Sequence, residues 1–230
     1  MLEELKGEVW EANLALKAAG VVELTFGNVS GLDRAQGLVV IKPSGVAYAG
    51  LRPEQMVVLD LEGRIVEGTL RPSSDTPTHL VLYREMTEIG GVAHTHSAYA
   101  AAWAQAGRSI PCYGTTHADY FRGAVPLTEQ LTAKAIEGEY EKETGLAIAR
   151  TMTSQSVAEF VGILVASHGP FTWGRSATEA AEHSIILEQI AHIAALTEGL
   201  APMAGPISRE LRDKHFRRKH GEAAYYGQDA

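Results

Sequence analysis

Val92-Ala93-His94-Thr95-His96-Ser97, entered from a Gly90-Gly91 pair, sets two imidazoles two residues apart at the end of an apolar run. In an extended strand alternate side chains share a face, so His94 and His96 project together and can offer two nitrogens to one metal ion. A third histidine closes a second β-branched run, Gly162-Ile163-Leu164-Val165-Ala166-Ser167-His168, and Gly169-Pro170 follows it as a breaker. Two buried strands ending in histidine, each with turn residues beyond, predict a metal site at a sheet edge. Three protein ligands leave a fourth position, which is how catalytic zinc sites keep room for water or substrate. Asp75, in the polar segment Arg71-Pro72-Ser73-Ser74-Asp75-Thr76-Pro77, is the candidate carboxylate for that position. Capping the helix that follows is its alternative role.

A second constellation suits an anion. Lys42-Pro43-Ser44-Gly45 supplies an ammonium, a hydroxyl and a turn; Ser73-Ser74 precede a helix start; Gly27-Asn28 sit at another turn. Hydroxyls, turn amides and one ammonium together bind a phosphate dianion well. The chain holds no Walker A motif and no Gly-x-Gly-x-x-Gly fingerprint, which argues against nucleotide hydrolysis and against a nicotinamide cofactor.

These residues need elements to carry them. The 230 residues, 45% hydrophobic and 21% charged, suit one large globular domain over 1–230. The net charge of −8 disfavours nucleic acid as a partner, and no apolar run is long enough for a membrane span. A lone cysteine, Cys112, fits a core position in a reducing compartment, and the acidic start lacks a signal-peptide core, so the expected location is cytoplasmic. Leu5, Val9, Ala12 and Leu16 recur at helical spacing, with Gly20 as a stop. Strands are expected through a glycine-flanked turn in Leu24–Gly31, over Leu38–Ile41, and in an antiparallel pair Met56–Leu61 and Arg64–Gly68. Thr76 to about Met86 reads as a helix with Pro77 in its first turn, and Ala98–Ala106 as another. Ile110–Tyr120 reads as a strand, Glu139–Ala149 as a less defined stretch, and Ala177 to about Leu196 as a long helix. The tail, 208–230, is basic and ends in Tyr225-Tyr226-Gly227. Helices interleaved with hairpins predict a single three-layer α/β/α domain with a mostly antiparallel central sheet.

Six segments taken together follow one family pattern: Gly27-Asn28-Val29-Ser30, Lys42-Pro43-Ser44-Gly45, Ser73 to His79, His94-Thr95-His96, Thr115-Thr116-His117-Ala118-Asp119-Tyr120 and Ser167-His168-Gly169-Pro170-Phe171. Over its whole length the chain resembles the L-ribulose-5-phosphate 4-epimerase family of the class II aldolase superfamily. The resemblance implies a retro-aldol epimerase in which cleavage of C3–C4, rotation of glycolaldehyde phosphate and re-addition invert C4. It implies that His94, His96, His168 and Asp75 hold a divalent ion, with zinc first and manganese or cobalt as other fits. Asn28, Lys42, Ser44, Gly45, Ser73 and Ser74 would hold the phosphate, and Asp119 and Tyr226 would serve as acid/base groups on the two faces of the substrate. A homotetramer with sites between subunits is implied too, the tail carrying Tyr226, with His215 and Arg218 in support, into a neighbour's site. His79 and His117 read as structural.

Three rivals share the scaffold, of which a decarboxylase or dehydratase has less support from the phosphate-site residues. A sugar-phosphate aldolase, such as one cleaving fuculose 1-phosphate, places a glutamate general base where this chain has Asp75, whose shorter arm favours holding the ion. A non-catalytic domain like the adducin head would lack the histidines, and all three are present.

Overall fold

A computed structural model describes residues 2–153, 157–220 and 224. Seven strands, β1 (Asn28–Asp33), β2 (Leu38–Ile41), β3 (Val57–Asp60), β4 (Ile65–Glu67), β5 (Gly91–His94), β6 (Gly162–Val165) and β7 (Gly169–Gly174), form one sheet in the order β4-β3-β2-β1-β5-β7-β6. Every neighbouring pair is antiparallel. The register sets Asn28 at the start of β1 opposite His94 at the end of β5. That pairing brings a candidate phosphate residue and a candidate metal ligand to one end of the sheet.

Period-two alternation sends neighbouring residues into two different cores. Val29, Val40 and Ala93 face α1 (Glu3–Ala18) and the start of α7 (Ala177–Leu200), packing with Val9, Leu16 and Ala180. Leu32, Val39, Val92 and Trp173 face the opposite way, toward α2 (Thr76–Glu85) and α6 (Tyr140–Met152), and meet Leu82, Tyr83 and Ile148. Farther along the sheet, Leu164 packs with Trp103 of α3 (Ala98–Gln105) and with Leu187 and Ile190 of α7. Helices thus cover both faces, the three-layer arrangement expected from the sequence. The α2–α6 approach is close: a Cβ at Gly145 would lie 2.7 Å from Val81 Cβ and 3.1 Å from the Thr78 carbonyl. Among the described residues no helix is long and apolar enough to cross a membrane.

Four segments depart from the sequence reading. Ile110–Tyr120 is not a strand: only Ile110 makes a β-bridge, to Val125, and Thr115–Ala118 is a short helix, α4. His117, Ala118 and Phe121 are buried at helical spacing there, and this outweighs the β-branched threonines. The less defined stretch after Glu139 is helix α6, with Thr144, Ala147, Ile148 and Met152 on its buried side. The strand expected within Leu24–Gly31 begins only at Asn28, because Leu24 and Gly27 both take positive φ. Gly169-Pro170 does not end the strand pattern but opens β7, where the Pro170 carbonyl accepts from Thr95 N–H at 3.4 Å. In the basic tail, Arg209–His220 forms a helix, α8, that packs on α4.

Candidate metal and phosphate site

His94 ends β5, His96 follows two residues later, and His168 stands in the turn between β6 and β7. Their rings lie within reach of one another, with centroids 4.8 Å (His94–His96), 4.6 Å (His94–His168) and 5.0 Å (His96–His168) apart. One ring nitrogen from each falls within 4.8 Å of the others. His94 is buried and stacks on Phe171, and its Nδ1 lies 2.9 Å from the Pro170 carbonyl. A carbonyl only accepts, so the proton sits on Nδ1 and Nε2 keeps a lone pair, 3.0 Å from His96 Nε2. Burial pushes the His94 pKa down to about 3 and lowers that of His168 as well, so both are neutral ligands at pH 7. Three converging imidazoles are a donor set that fits a divalent transition ion.

Asp75 occupies the N-cap position of α2 but makes no side-chain cap bond. Its Oδ2 instead accepts from Asn28 Nδ2 at 2.7 Å and from Ser73 Oγ at 3.5 Å. Burial opposes its ionisation, but the neighbouring His94 and His79 imidazoles and the Asn28 bond outweigh burial and hold the carboxyl below its ordinary value. The side chain therefore makes no helix cap; it lines one cavity with His96 and His168, but the cluster of converging ligand atoms consists of the three histidines without Asp75. Asn28 Oδ1 is a buried acceptor without a partner among the described residues.

One cavity of about 380 Å³ joins both sets of candidates: Asn28, Lys42, Ser44, Gly45, Ser73 and Ser74 line it together with Asp75, His96 and His168. The two serine loops are zipped side by side by Ser44 N–H to the Arg71 carbonyl, 2.9 Å, and Ser73 N–H to the Lys42 carbonyl, 3.1 Å. Those two amides are thereby occupied, leaving hydroxyls, the start of α2 and Lys42 as the anion-binding features. Lys42 is 1% exposed. Among the described residues its ammonium reaches the Thr25 and Pro43 carbonyls, both at 3.4 Å, and lies 4.9 Å from the Tyr48 ring centre. Burial pushes its pKa down to about 8. A buried ammonium that faces no carboxylate among the described residues is poised for an anion from outside. Gly27 is required beside it, since φ is +77° and a Cβ would meet Val22 at 2.8 Å and the His94 carbonyl at 2.9 Å.

Asp119 stands elsewhere, at the C-terminus of α4, and does not line this cavity. Arg218 grips it with Nε at 3.0 Å and Nη2 at 2.7 Å, and His215 Nδ1 lies 3.0 Å from Oδ1. Burial would raise its pKa, but the Arg218 and His215 bonds lower it overall. The resemblance has His215 and Arg218 reaching into a neighbour's site; they bind Asp119 of their own chain, so the three form one unit. Tyr226 lies outside the described residues. His79 and His117 are buried, with pKa values pushed to about 4, and bond to Ser30 and the Gly123 carbonyl respectively. Cys112 is buried, as expected of a core position. Tyr48, Tyr140 and Glu141 carry no sequence signal that singles them out. Tyr48 lies beneath Lys42, and Tyr140 and Glu141 line the cavity from the first turn of α6.

Comparison with known proteins agrees with this geometry. Residues 7–195 match the family model described as class II aldolase and adducin N-terminal domain. Proteins named L-ribulose-5-phosphate 4-epimerase UlaF, from Salmonella paratyphi B and Salmonella typhi, are each 50% identical over 227 residues, 99% of this chain and 100% of theirs. A solved L-fuculose 1-phosphate aldolase shares the fold with a TM-score of 0.81 at 24% identity, over 94% of this chain and 95% of that one. The L-fuculose-1-phosphate aldolase of Thermus thermophilus gives 0.69 at 26% identity, over 89% and 100%.

Proposed function

The chain belongs to the family of class II aldolases and adducin N-terminal domains, and from that premise we propose that it interconverts L-ribulose 5-phosphate and D-xylulose 5-phosphate. The observation that carries the reading is the cavity in which His96, His168 and Asp75 meet the buried Lys42 ammonium, with His94 joining the other two imidazoles in one cluster of ring nitrogens. Such a cavity suits a sugar phosphate better than a free sugar or a nucleotide. His94, His96 and His168 would hold a divalent ion, zinc by the softness of its donors, with Asp75 beside it. The bound ion supplies Lewis-acid stabilisation for negative charge developing on substrate oxygens.

The residues account for the rest. C4 of the substrate has no adjacent carbonyl, so its proton is not acidic and inversion needs the C3–C4 bond broken and remade. The bond electrons pass into the carbonyl at C2, giving an enediolate, while the C4 hydroxyl loses its proton and becomes the aldehyde of glycolaldehyde phosphate. Lys42 and the Ser44, Ser73 and Ser74 hydroxyls keep the phosphate in place while the aldehyde turns over. Re-addition then returns a proton to oxygen from the opposite side. Two acid/base groups are therefore needed, and Asp119 and Tyr226 fill those roles in this reading. Asp119 does not line its own chain's cavity, so in this reading a second copy presents it, as in a homotetramer with shared sites. The same reading places the protein in the cytoplasm.

An NMR time course with zinc-loaded protein and L-ribulose 5-phosphate, without nicotinamide, tests this. Accumulation of D-xylulose 5-phosphate is the expected outcome. Release of dihydroxyacetone and glycolaldehyde phosphate as the main products would instead make the protein an aldolase, and an unchanged spectrum would refute the substrate assignment.

A further inference from the structure

Each of the three histidines is held differently. His94 is locked from both sides, by the Pro170 carbonyl at Nδ1 and by the stacked Phe171 ring. His96 is exposed and leans toward Phe26, with ring centroids 6.2 Å apart. His168 is half-buried on a turn whose backbone is well fixed. Ser167, at φ 60°, donates its N–H to the Ala104 carbonyl at 3.0 Å, and Gln130 Nε2 donates to Ser167 Oγ at 2.9 Å. Those contacts place the His168 Cα but not its ring. Among the described residues, the hydroxyl that reaches the ring is that of Tyr140, 3.4 Å from Nδ1.

We propose that Tyr140 is a positioning residue for His168, accepting its Nδ1–H and so presenting Nε2 to the ion. This rests on the metal-site reading above. The tautomer is the one that the Pro170 carbonyl imposes on His94, so both imidazoles would turn the same nitrogen to one point. Outer partners of this kind orient a ligand ring and raise its basicity, and their loss commonly costs about 10- to 100-fold in metal affinity.

Tyr140 is well placed for the task because it does not ride on a loop. It is the first residue of α6, whose position is set by the close approach at Gly145 and by Thr78 Oγ1 donating to the Glu141 carbonyl at 2.5 Å. Thr78 lies in the first turn of α2, the helix that Asp75 begins. One packed helix pair therefore brings both Asp75 and Tyr140 to the cavity, and the ring of His168 is oriented by the core rather than by its own turn.

The test is Tyr140→Phe, which keeps the ring and removes the oxygen. Zinc affinity is measured by competition with a chromophoric chelator, together with the absorption spectrum of the cobalt-loaded protein. We expect affinity to fall about 10- to 100-fold and the cobalt bands to shift, with thermal unfolding of the metal-free proteins unchanged. Equal affinity and identical bands would overturn the inference while leaving the metal site standing. A parental protein that takes up no zinc would overturn the metal-site reading itself. A second measurement needs no variant: two-bond nitrogen–proton correlation spectra of the metal-free protein should show His168 protonated at Nδ1, and protonation at Nε2 would refute the assignment.

Discussion

Lys42→Met isolates the anion-binding half of the cavity. Methionine keeps the apolar stem that packs by Tyr48 and deletes only the ammonium, which touches two carbonyls at 3.4 Å and no carboxylate among the described residues. A hydrogen bond between charged groups contributes about 1.5–3 kcal/mol, so affinity for a phosphate dianion should drop about 10- to 150-fold. Without ligand the same change should stabilise the fold. Lys42 has a folded pKa of about 8 against an ordinary 10.5, so burial penalises its charged form. The full shift sets an upper limit, and roughly half of it, a gain of about 1–2 kcal/mol at pH 7, is the expected effect. The sign with pH follows. Between about 8 and 10.5 the unfolded chain holds the proton that the folded chain has released, so parental stability rises with pH across that window. The variant should lack that rise. Urea unfolding at pH 7 and pH 10 measures the stability term, and calorimetric titration with inorganic phosphate measures binding. Phosphate affinity of the parental protein should also weaken as pH climbs through 8, and that of Lys42→Met should not. A variant with parental phosphate affinity and parental stability at both pH values would refute the reasoning.

His96→Asn removes the exposed ligand and should abolish stoichiometric zinc while leaving the circular dichroism spectrum intact; metal analysis showing full occupancy would dismiss the ligand set. Asp119→Asn should cut the epimerisation rate by about 10²- to 10⁴-fold with zinc retained, and a parental rate would remove Asp119 from the chemistry. Truncation before Tyr225 should inactivate comparably, whereas an active truncated protein would exclude the tail.

The metal site is legible in the sequence because its signals are local. Each histidine closes or follows a short apolar run, with Gly90-Gly91 opening one run and Gly169-Pro170 following the other. Asp75 is legible only as a position, since its neighbours equally predict a cap; the bond from Asn28, 47 residues away in sequence, decides its role, and only folding reveals it. α6 is obscured for a different reason. Glu141, Lys142 and Glu143 give its start a solvated character, and Gly145 looks like an interruption. That glycine is there because α2 passes too close for a side chain, a constraint that belongs to packing and leaves no trace in period. Ile110–Tyr120 misleads through propensity: its threonines and aromatics favour extension in isolation, and burial of His117, Ala118 and Phe121 on one helical face overrides them. Tyr48 and Tyr140 carry no motif at all; each matters through one partner, Lys42 or His168.

The separation of Asp119 from the histidine cavity leads to a sharper consequence than any single variant. Within one chain, Asp119, His215 and Arg218 are already bound into a unit on α4 and α8, and the phosphate and metal residues are already gathered at the ends of β1, β2 and β5. Neither unit needs the other to form, so each variant should fold and assemble while lacking half a site. If a working site pairs the cavity of one copy with Asp119 of the next, then His96→Asn and Asp119→Asn damage opposite partners. Alone, both are inactive. Mixed in equal amounts and allowed to exchange subunits, about a quarter of the sites would draw an intact cavity from one variant and an intact Asp119 from the other, by random pairing in a closed symmetric ring. Zinc binding would not be rescued beyond half, because it depends on His96 within each chain. Activity rising from near zero to about a quarter of parental, only after exchange, would be the signature of shared sites. A mixture that stays inactive although mass spectrometry shows hybrid oligomers would mean that the two units meet within a single chain, and the subunit-sharing reading would fall.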